Sequence, residues 1–578
     1  MLCVCGGESR CFVNFKLIMI IMVQKSKLRE SLVCLLILFA LNPCALLLAQ
    51  TPQPTQTQQR ERRVVASTPT PTPTPAPTPA PRSSPAVRSA PQSSAPKSVA
   101  ELQELVSEIL RRPALAPAMV AVKVASLDTG RTLFEENAGK LLRPASNMKL
   151  YTLATALDRL SPEYHFKTSV YAVAQPDQTG TLRADLIVYG RGDPSIAARF
   201  NNGDYNKGID ELASRIQAAG VKRIEGDLVG DETYFIGPPL GTGWEWDDLT
   251  WYYGAEVTAL TVNDNSLDLF VKPGASVGAP CLITTGPATA LIKIINRTTT
   301  AARGTKRDLT VYRGLGENEL EVSGQLALDD KGYSGGVGIS HPAMLFIDML
   351  RQALIRRGVT IAGRARIIDA STSGPTPAPL TTRVEITSML SPPFGLIAAQ
   401  TLKPSQNLYT ELILRTLGKT IAPGPIIANA SAPVTSEDAG LLVVRKFLTE
   451  AGVNPNELVL TDGSGLSRND MVTANATLQL LTYMSRHRYG AIFRDALPVA
   501  GVDGTLRNRF KGTLAENNIH AKTGSLSSAA SLSGYVTSAA GERLVFSIMV
   551  NNYPESVDAR RDCIDPIAVL LASLAGRS

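Results

Sequence analysis

Three short stretches carry side chains that could run nucleophilic chemistry without a metal. In "RPASNMKLYTLATALDRL", residues 143–160, Ser146 stands three positions before Lys149, where an apolar stripe of helical period begins (Leu150, Leu153, Ala154, Leu157, Leu160). At that spacing both side chains project from one face near a helix N-terminus, whose unpaired amides stabilise charge developing on an oxygen. Taken alone, the pair reads more readily as a helix cap and a solvated lysine, because Ser-x-x-Lys recurs by chance. "KPSQNLYTE" places Ser405 and Asn407 just before a second helical pattern, and "HAKTGSLSS" places Lys522, Thr523, Gly524 and Ser525 in a strand-like run. These too have plain structural accounts: Ser405 as a cap, Lys522 as an exposed strand residue, Gly524 as a bulge.

Together, however, Ser-x-x-Lys, Ser-x-Asn and Lys-Thr-Gly in that order form the set shared by penicillin-binding proteins and β-lactamases. The stretches "YGRGDPS" (189–195), "DGSGLSRND" (462–470) and "AGVDGTLRNR" (500–509), with the long insertion between Lys149 and Ser405, narrow the likeness. From Ser98 to the C-terminus the chain resembles the D-alanyl-D-alanine carboxypeptidase/endopeptidase family, the class C low-molecular-mass penicillin-binding proteins. The resemblance implies a serine peptidase that acts on peptidoglycan stem peptides through an acyl-enzyme on Ser146 and is inhibited covalently by β-lactam antibiotics. It implies no cofactor. Two positions depart from the pattern: Gln406 stands where Asp is common, and Arg191 where Gly is expected. The Arg-Gly-Asp at 191–193 reads as part of a turn, not as an adhesion motif.

A serine hydroxyl is a poor nucleophile until something removes its proton. Lys149 can do so only when neutral near pH 7, and desolvation in a cleft and a second cation, Lys522, would both lower its pKa. Whether Lys149 or another group is the base stays open in the sequence. By resemblance, Ser405 relays the proton to the departing amine, and Asn407 holds the substrate backbone and the lysine. Lys522 and Thr523 meet the terminal carboxylate, Gly524 and Ser525 line the substrate's bed, and the amides of Ser146 and Ser525 form the oxyanion hole. Arg468 either binds the free end of a diamino-acid side chain or merely pins its loop. Asp462, Gly463 and Gly465 read as turn formers. A β-lactamase and a catalytically silent wall-binding protein are the alternatives. The long insertion disfavours the first, and the five intact motif residues disfavour the second.

The rest of the composition excludes other classes. Histidines 165, 341, 487 and 520 form no pair at i, i+3 or i, i+4, so no zinc site is expected. The formal charge is +7, but the first 97 residues carry eleven Lys or Arg against three Glu, which leaves a net of −1 for 98–578. A nucleic-acid binder would carry its basic excess on the fold, so no nucleic-acid partner is expected. Five of seven cysteines precede residue 45, and Cys281 and Cys563 either form one bridge or are two buried thiols.

Residues 1–49 read as a signal region, with Lys25, Lys27 and Arg29 before the apolar Leu32–Leu41, and with Met22 as the expected true start. Residues 50–97 are rich in Pro, Thr, Ala and Ser, an extended linker spanning about 3 Å per residue. This places the protein in the periplasm, with the membrane near its N-terminal segment. Residues 98–165 and 384–578 are expected to form one catalytic domain. It opens on a capping box at Ser98 and Glu101 and closes on two strands and a helix, "IAVLLASLAG". Residues 166–383 read as one or two β-rich inserted domains with a hairpin turning near Pro176–Gly180 and a single modest helix, "IDELASRIQAAG". The expected fold class is α/β (α+β), a β-lactamase/transpeptidase-like domain carrying a large β-rich insertion.

Overall fold

The computed structural model describes residues 95–369, 380–421 and 434–578. The expected signal, 1–49, and all but the last three residues of the expected linker lie outside them. Among the described residues no helix is long and apolar enough to cross a membrane.

Alternation of period two explains the central layer. In the strand Met119–Ser126, Val122 and Val124 face one core while Ala121 and Ala125 face another. In Arg543–Asn551, Leu544, Phe546, Ile548 and Val550 share the first core, and Val545 and Met549 the second. Strands apolar on both faces need cover on both. The sheet they build has five antiparallel strands in the order 520–526, 529–537, 543–551, 119–126, 132–136, so the two ends of the folded chain share one sheet. The first face is covered by the helices Val99–Leu110 and Asp565–Ser573 through Leu102, Val106, Ile567 and Leu571. The second is covered by the helices 148–160, 394–402, 407–420, 436–450, 474–486 and 490–496. At the opening helix the Ser98 hydroxyl accepts from the Glu101 amide at 3.2 Å, and the Glu101 carboxylate accepts from the Lys97 amide at 2.8 Å, one residue earlier than a reciprocal capping box.

The insertion holds a second five-stranded sheet, ordered 365–368, 228–231, 186–189, 167–172, 384–390, and three three-stranded sheets. Three expectations are corrected here. Val384–Leu390 is not part of a returning helical region: it pairs antiparallel with Lys167–Ala172, so the boundary set at 384 cuts through the insertion's own sheet. The expected hairpin forms between 167–172 and 186–189, but Thr181–Leu182 leaves it to pair with Arg223–Ile224. The insertion also carries a second helix, Pro342–Arg356, packed against Lys207–Ala218 in a shared core that includes Ile209, Leu212, Phe346 and Leu350. Its apolar residues spread over more than one face because it lies between that helix and the sheet, which blurs the 3.6-residue stripe. Cys281 and Cys563 are free thiols buried in different cores.

The helix Asn407–Thr420 joins the two parts. Ile413, Leu414 and Leu417 enter the core under the terminal sheet, while Leu408, Tyr409 and Leu412 pack against Phe235, Val257 and Ala259 of the insertion. Every residue from Asn407 to Gly418 is buried, including Glu411 and Arg415. Arg415 pairs with Glu437 at 3.1 Å, and its Nη1 donates to the Val257 carbonyl at 3.3 Å, so this buried charge is both paired and hydrogen-bonded.

Candidate active site

Ser146 lies in a single 3-10 turn, Ala145–Asn147, that leads into the helix Met148–Leu160. Ala145 is held at φ 49, a left-handed conformation costly for a residue with a side chain, so neighbours must hold the turn in place. The Ser531 hydroxyl donates to the Pro144 carbonyl at 2.7 Å, and the Asn147 amide donates to Ser533 Oγ at 2.7 Å. Both serines sit on the strand beside Lys-Thr-Gly. Gly524 faces the same turn: a Cβ there would stand 2.4 Å from the Pro144 carbonyl oxygen, so only glycine lets the strand approach this closely.

The three motifs meet. Lys149 Nζ lies 3.0 Å from Ser146 Oγ, 2.6 Å from Asn407 Oδ1 and 2.7 Å from the Ser464 carbonyl oxygen. Lys522 Nζ lies 2.8 Å from Ser405 Oγ and 2.9 Å from the Thr523 carbonyl oxygen. Both lysines are fully buried, Ser146 and Ser405 are half-buried, and Ser525 is exposed. The amide nitrogen of Asn407 donates to the Tyr253 carbonyl at 2.9 Å, so the insertion fixes which end of that amide faces Lys149.

Burial lowers the Lys149 pKa to about 7, against the pull of Asp462, Glu411 and Asp470, which favour its charged form. The lowering expected from Lys522 is not among the causes. The effect runs the other way: Lys522 is held well below the ordinary lysine value by its own burial and then by the charge of Lys149. The partners of Lys149 fit a neutral amine. Asn407 Oδ1 and the Ser464 carbonyl can only accept, so they use its two N–H groups and leave the lone pair directed at the Ser146 hydroxyl. The arrangement can therefore take a proton from Ser146 at neutral pH.

The loop 462–470 does more than turn. Asp462 accepts from the amides of Gly465 (2.6 Å) and Ser467 (2.8 Å), from Ser464 Oγ (3.2 Å) and from the Trp244 indole (2.9 Å). Glu411, pushed well above the usual carboxylate range by burial, accepts from the Gly463 amide at 3.1 Å. Nothing in the residue pattern announces the contacts of Ser464, Glu411, Trp244 and Tyr253: two are made by main-chain carbonyls, Trp244 lies outside every motif, and Glu411, four residues past Asn407 in "KPSQNLYTE", reads as an ordinary helix residue. Thr505, inside the quoted "AGVDGTLRNR", also had no assigned role, yet its hydroxyl lies 2.7 Å from that of Thr523.

Arg468 belongs to this same loop, and its side chain turns toward Glu245 and Asp248 of the insertion, not toward the lysines. It pairs with Glu245 at 2.7 Å and lies 3.9 Å from Asp248, and its Nη1 is buried without a hydrogen-bond partner among the described residues. Carboxylate oxygens of Glu245, Asp247 and Asp248 come within 4.8 Å of one another, and the arginine supplies positive charge there. Gln406 caps the helix by accepting from the Leu408 amide at 3.1 Å. Arg191 donates to the Lys167 carbonyl (3.1 Å) and to Ser169 Oγ (2.9 Å), which anchors the turn that departs from the expected pattern. Asp193 is buried, and its Oδ1 accepts from the amide and the hydroxyl of Ser195, so this carboxylate serves the turn.

Known proteins resemble this chain in sequence and in fold. The chain is 34% identical over 487 residues to a D-alanyl-D-alanine carboxypeptidase of Actinomadura sp. (strain R39), covering 82% of this chain and 85% of that one. It is 26% identical over 440 residues to the D-alanyl-D-alanine carboxypeptidase DacB of Haemophilus influenzae, covering 74% and 84%. The crystal structure of penicillin binding protein 4 from Haemophilus influenzae superposes with a TM-score of 0.66 at 23% identity, over 80% of this chain and 97% of that one, which shows a common fold. With residues 102–574 matching the family as a whole, the chain belongs to the D-Ala-D-Ala carboxypeptidase 3 (S13) family.

Proposed function

We propose that this protein is a penicillin-sensitive serine D-Ala-D-Ala carboxypeptidase of the cell wall that works through an acyl-enzyme on Ser146. The observation that carries the reading is the set of partners around Lys149, whose two carbonyls leave the amine's lone pair to the Ser146 hydroxyl. Ser146 Oγ attacks the carbonyl carbon of the penultimate D-alanine as its proton passes to Lys149. The amide bond then breaks, the leaving amine takes a proton through Ser405, and free D-alanine departs, leaving an ester on Ser146. Water opens that ester in the second half of the cycle. Amides of Ser146 and Ser525 stabilise the oxyanion, each worth roughly 3–4 kcal/mol in comparable enzymes. Asn407 orients the substrate backbone and Lys149, and Lys522 and Thr523 receive the terminal carboxylate.

Arg468, held by Glu245, supports an added endopeptidase action on D-Ala-diaminoacid cross-links, in which it meets the side-chain end of the diamino acid. The reading includes export to the periplasm by the segment before residue 50 and a membrane-side linker. It takes 98–165 and the segment after Leu390 as the catalytic domain, with the insertion between them. Labelling with a fluorescent penicillin, and mass spectrometry of D-alanine released from stem peptides, test it in wild type and Ser146→Ala. Wild type labels and releases D-alanine while the variant does neither. An unlabelled wild type, or rapid turnover of nitrocefin, would overturn it.

A further inference from the structure

The hydroxyls of Thr505 and Thr523 share a 2.7 Å hydrogen bond that no part of the mechanism above uses. Thr523 is 9% exposed, whereas Thr505 is exposed at the rim. The loop bearing Thr505 is fixed to the segment bearing Ser405. The Thr505 amide donates to the Lys403 carbonyl at 3.0 Å, and Lys403 Nζ donates to Asp503 Oδ2 at 2.6 Å and to the Leu497 carbonyl at 3.0 Å. Gly504, at φ 55, makes that approach possible, since a Cβ there would lie 2.5 Å from the Lys403 carbonyl oxygen. The Thr505 hydroxyl is thus set by a clamped main chain, not by a free loop.

Two hydroxyls carry two protons, and their mutual bond uses one. If Thr523 donates to Thr505, it has no proton left for a ligand. If Thr505 donates to Thr523, the Thr523 proton is free for an anion, and the chain of two bonds strengthens the outer one. We propose that Thr505 is a positioning residue for the substrate's terminal carboxylate: it donates to Thr523 Oγ1 and so directs the Thr523 proton at the anion. The inference rests on the carboxypeptidase reading, in which Thr523 meets that carboxylate. It makes Thr505 a determinant of preference for chain ends over peptide bonds inside cross-links, because an internal bond offers no carboxylate at that place.

The test compares Thr505→Val and Thr505→Ser with wild type on one stem peptide ending in D-Ala-D-Ala, supplied with a free carboxylate or with a terminal carboxamide. Thr505→Val is expected to raise KM for the carboxylate peptide about fivefold, the worth of one ordinary hydrogen bond, with kcat little changed. Its kcat/KM on the carboxamide stays at the wild-type value, and Thr505→Ser, which keeps the hydroxyl, restores KM. Equal losses on both peptides, or no loss on either, overturn the inference while wild-type D-alanine release still upholds the functional reading. A wild type that releases no D-alanine overturns both.

Discussion

Lys149 Nζ and Asn407 Oδ1 lie 2.6 Å apart, although 258 positions separate them in the chain. An amide oxygen only accepts, so this contact, with the Ser464 carbonyl at 2.7 Å, suits an amine that has given up its proton as well as one that has kept it. The lysine can change charge without breaking either bond, and only its relation to Ser146 reverses.

Replacing Lys149 separates the base from the scaffold. Lys149→Met keeps most of the buried volume and should slow acylation by penicillin roughly 10²- to 10⁴-fold, the usual worth of a general base. Lys149→Arg should fare no better, because a guanidinium stays protonated at neutral pH. Second-order rates of penicillin labelling measure both.

Acylation should rise with pH through about 7, as Lys149 loses its proton. Its contribution to stability has a definite sign. Between about 7 and the ordinary value of 10.5 the unfolded chain binds a proton that the folded one does not, so stability from this group rises with pH across that window. The destabilisation is fully present below about 7. Urea midpoints at pH 7 and 9 should show a smaller rise in Lys149→Met than in wild type.

Lys522 predicts proton uptake. Burial and the neighbouring lysine hold its pKa well below normal, and an arriving carboxylate would raise it again. Calorimetry of D-Ala-D-Ala peptide binding to Ser146→Ala, in buffers of different ionisation enthalpy, should report protons taken from the buffer. Lys522→Met should abolish that uptake.

Gly465 tests the loop beneath the nucleophile. It sits at φ 77, and a Cβ would fall 1.9 Å from the Ala145 carbonyl oxygen. Gly465→Ala should cost more than the roughly 1–3 kcal/mol of backbone strain alone, because the turn carrying Ser146 must also shift. A fall in penicillin labelling larger than the loss of folded protein would locate the damage at that turn.

Gln406 should tolerate reversion to the common residue. Its oxygen caps the helix, but its amide nitrogen is buried without a hydrogen-bond partner among the described residues. Gln406→Asp removes that stranded donor and places a preferred capping residue at a helix N-terminus. It should leave kcat/KM within about threefold and raise stability by about 1 kcal/mol, read from thermal midpoints.

The motif residues and the doubly covered sheet were legible because both depend on side-chain type and short period. Ser146 and Lys149 share a helix face, and Val122 and Val124 alternate with Ala121 and Ala125. Pro342–Arg356 was not legible, since apolar residues on several faces give no single stripe. Nor was Val384–Leu390, whose partner strand lies more than 200 residues upstream. Within the site, what the sequence lacked was mainly main-chain chemistry. The Ser464 and Tyr253 carbonyls act through atoms every residue carries, so no residue type announces them.

The Tyr253 carbonyl has one more implication. A shortened enzyme made by excising the insertion would keep each motif residue yet lose the peptide oxygen that stops the Asn407 amide from rotating. Such a trimmed protein would not be a minimal carboxypeptidase. It would present Lys149 with an amide free to offer N–H in place of oxygen, so competence here is a property of the whole folded chain.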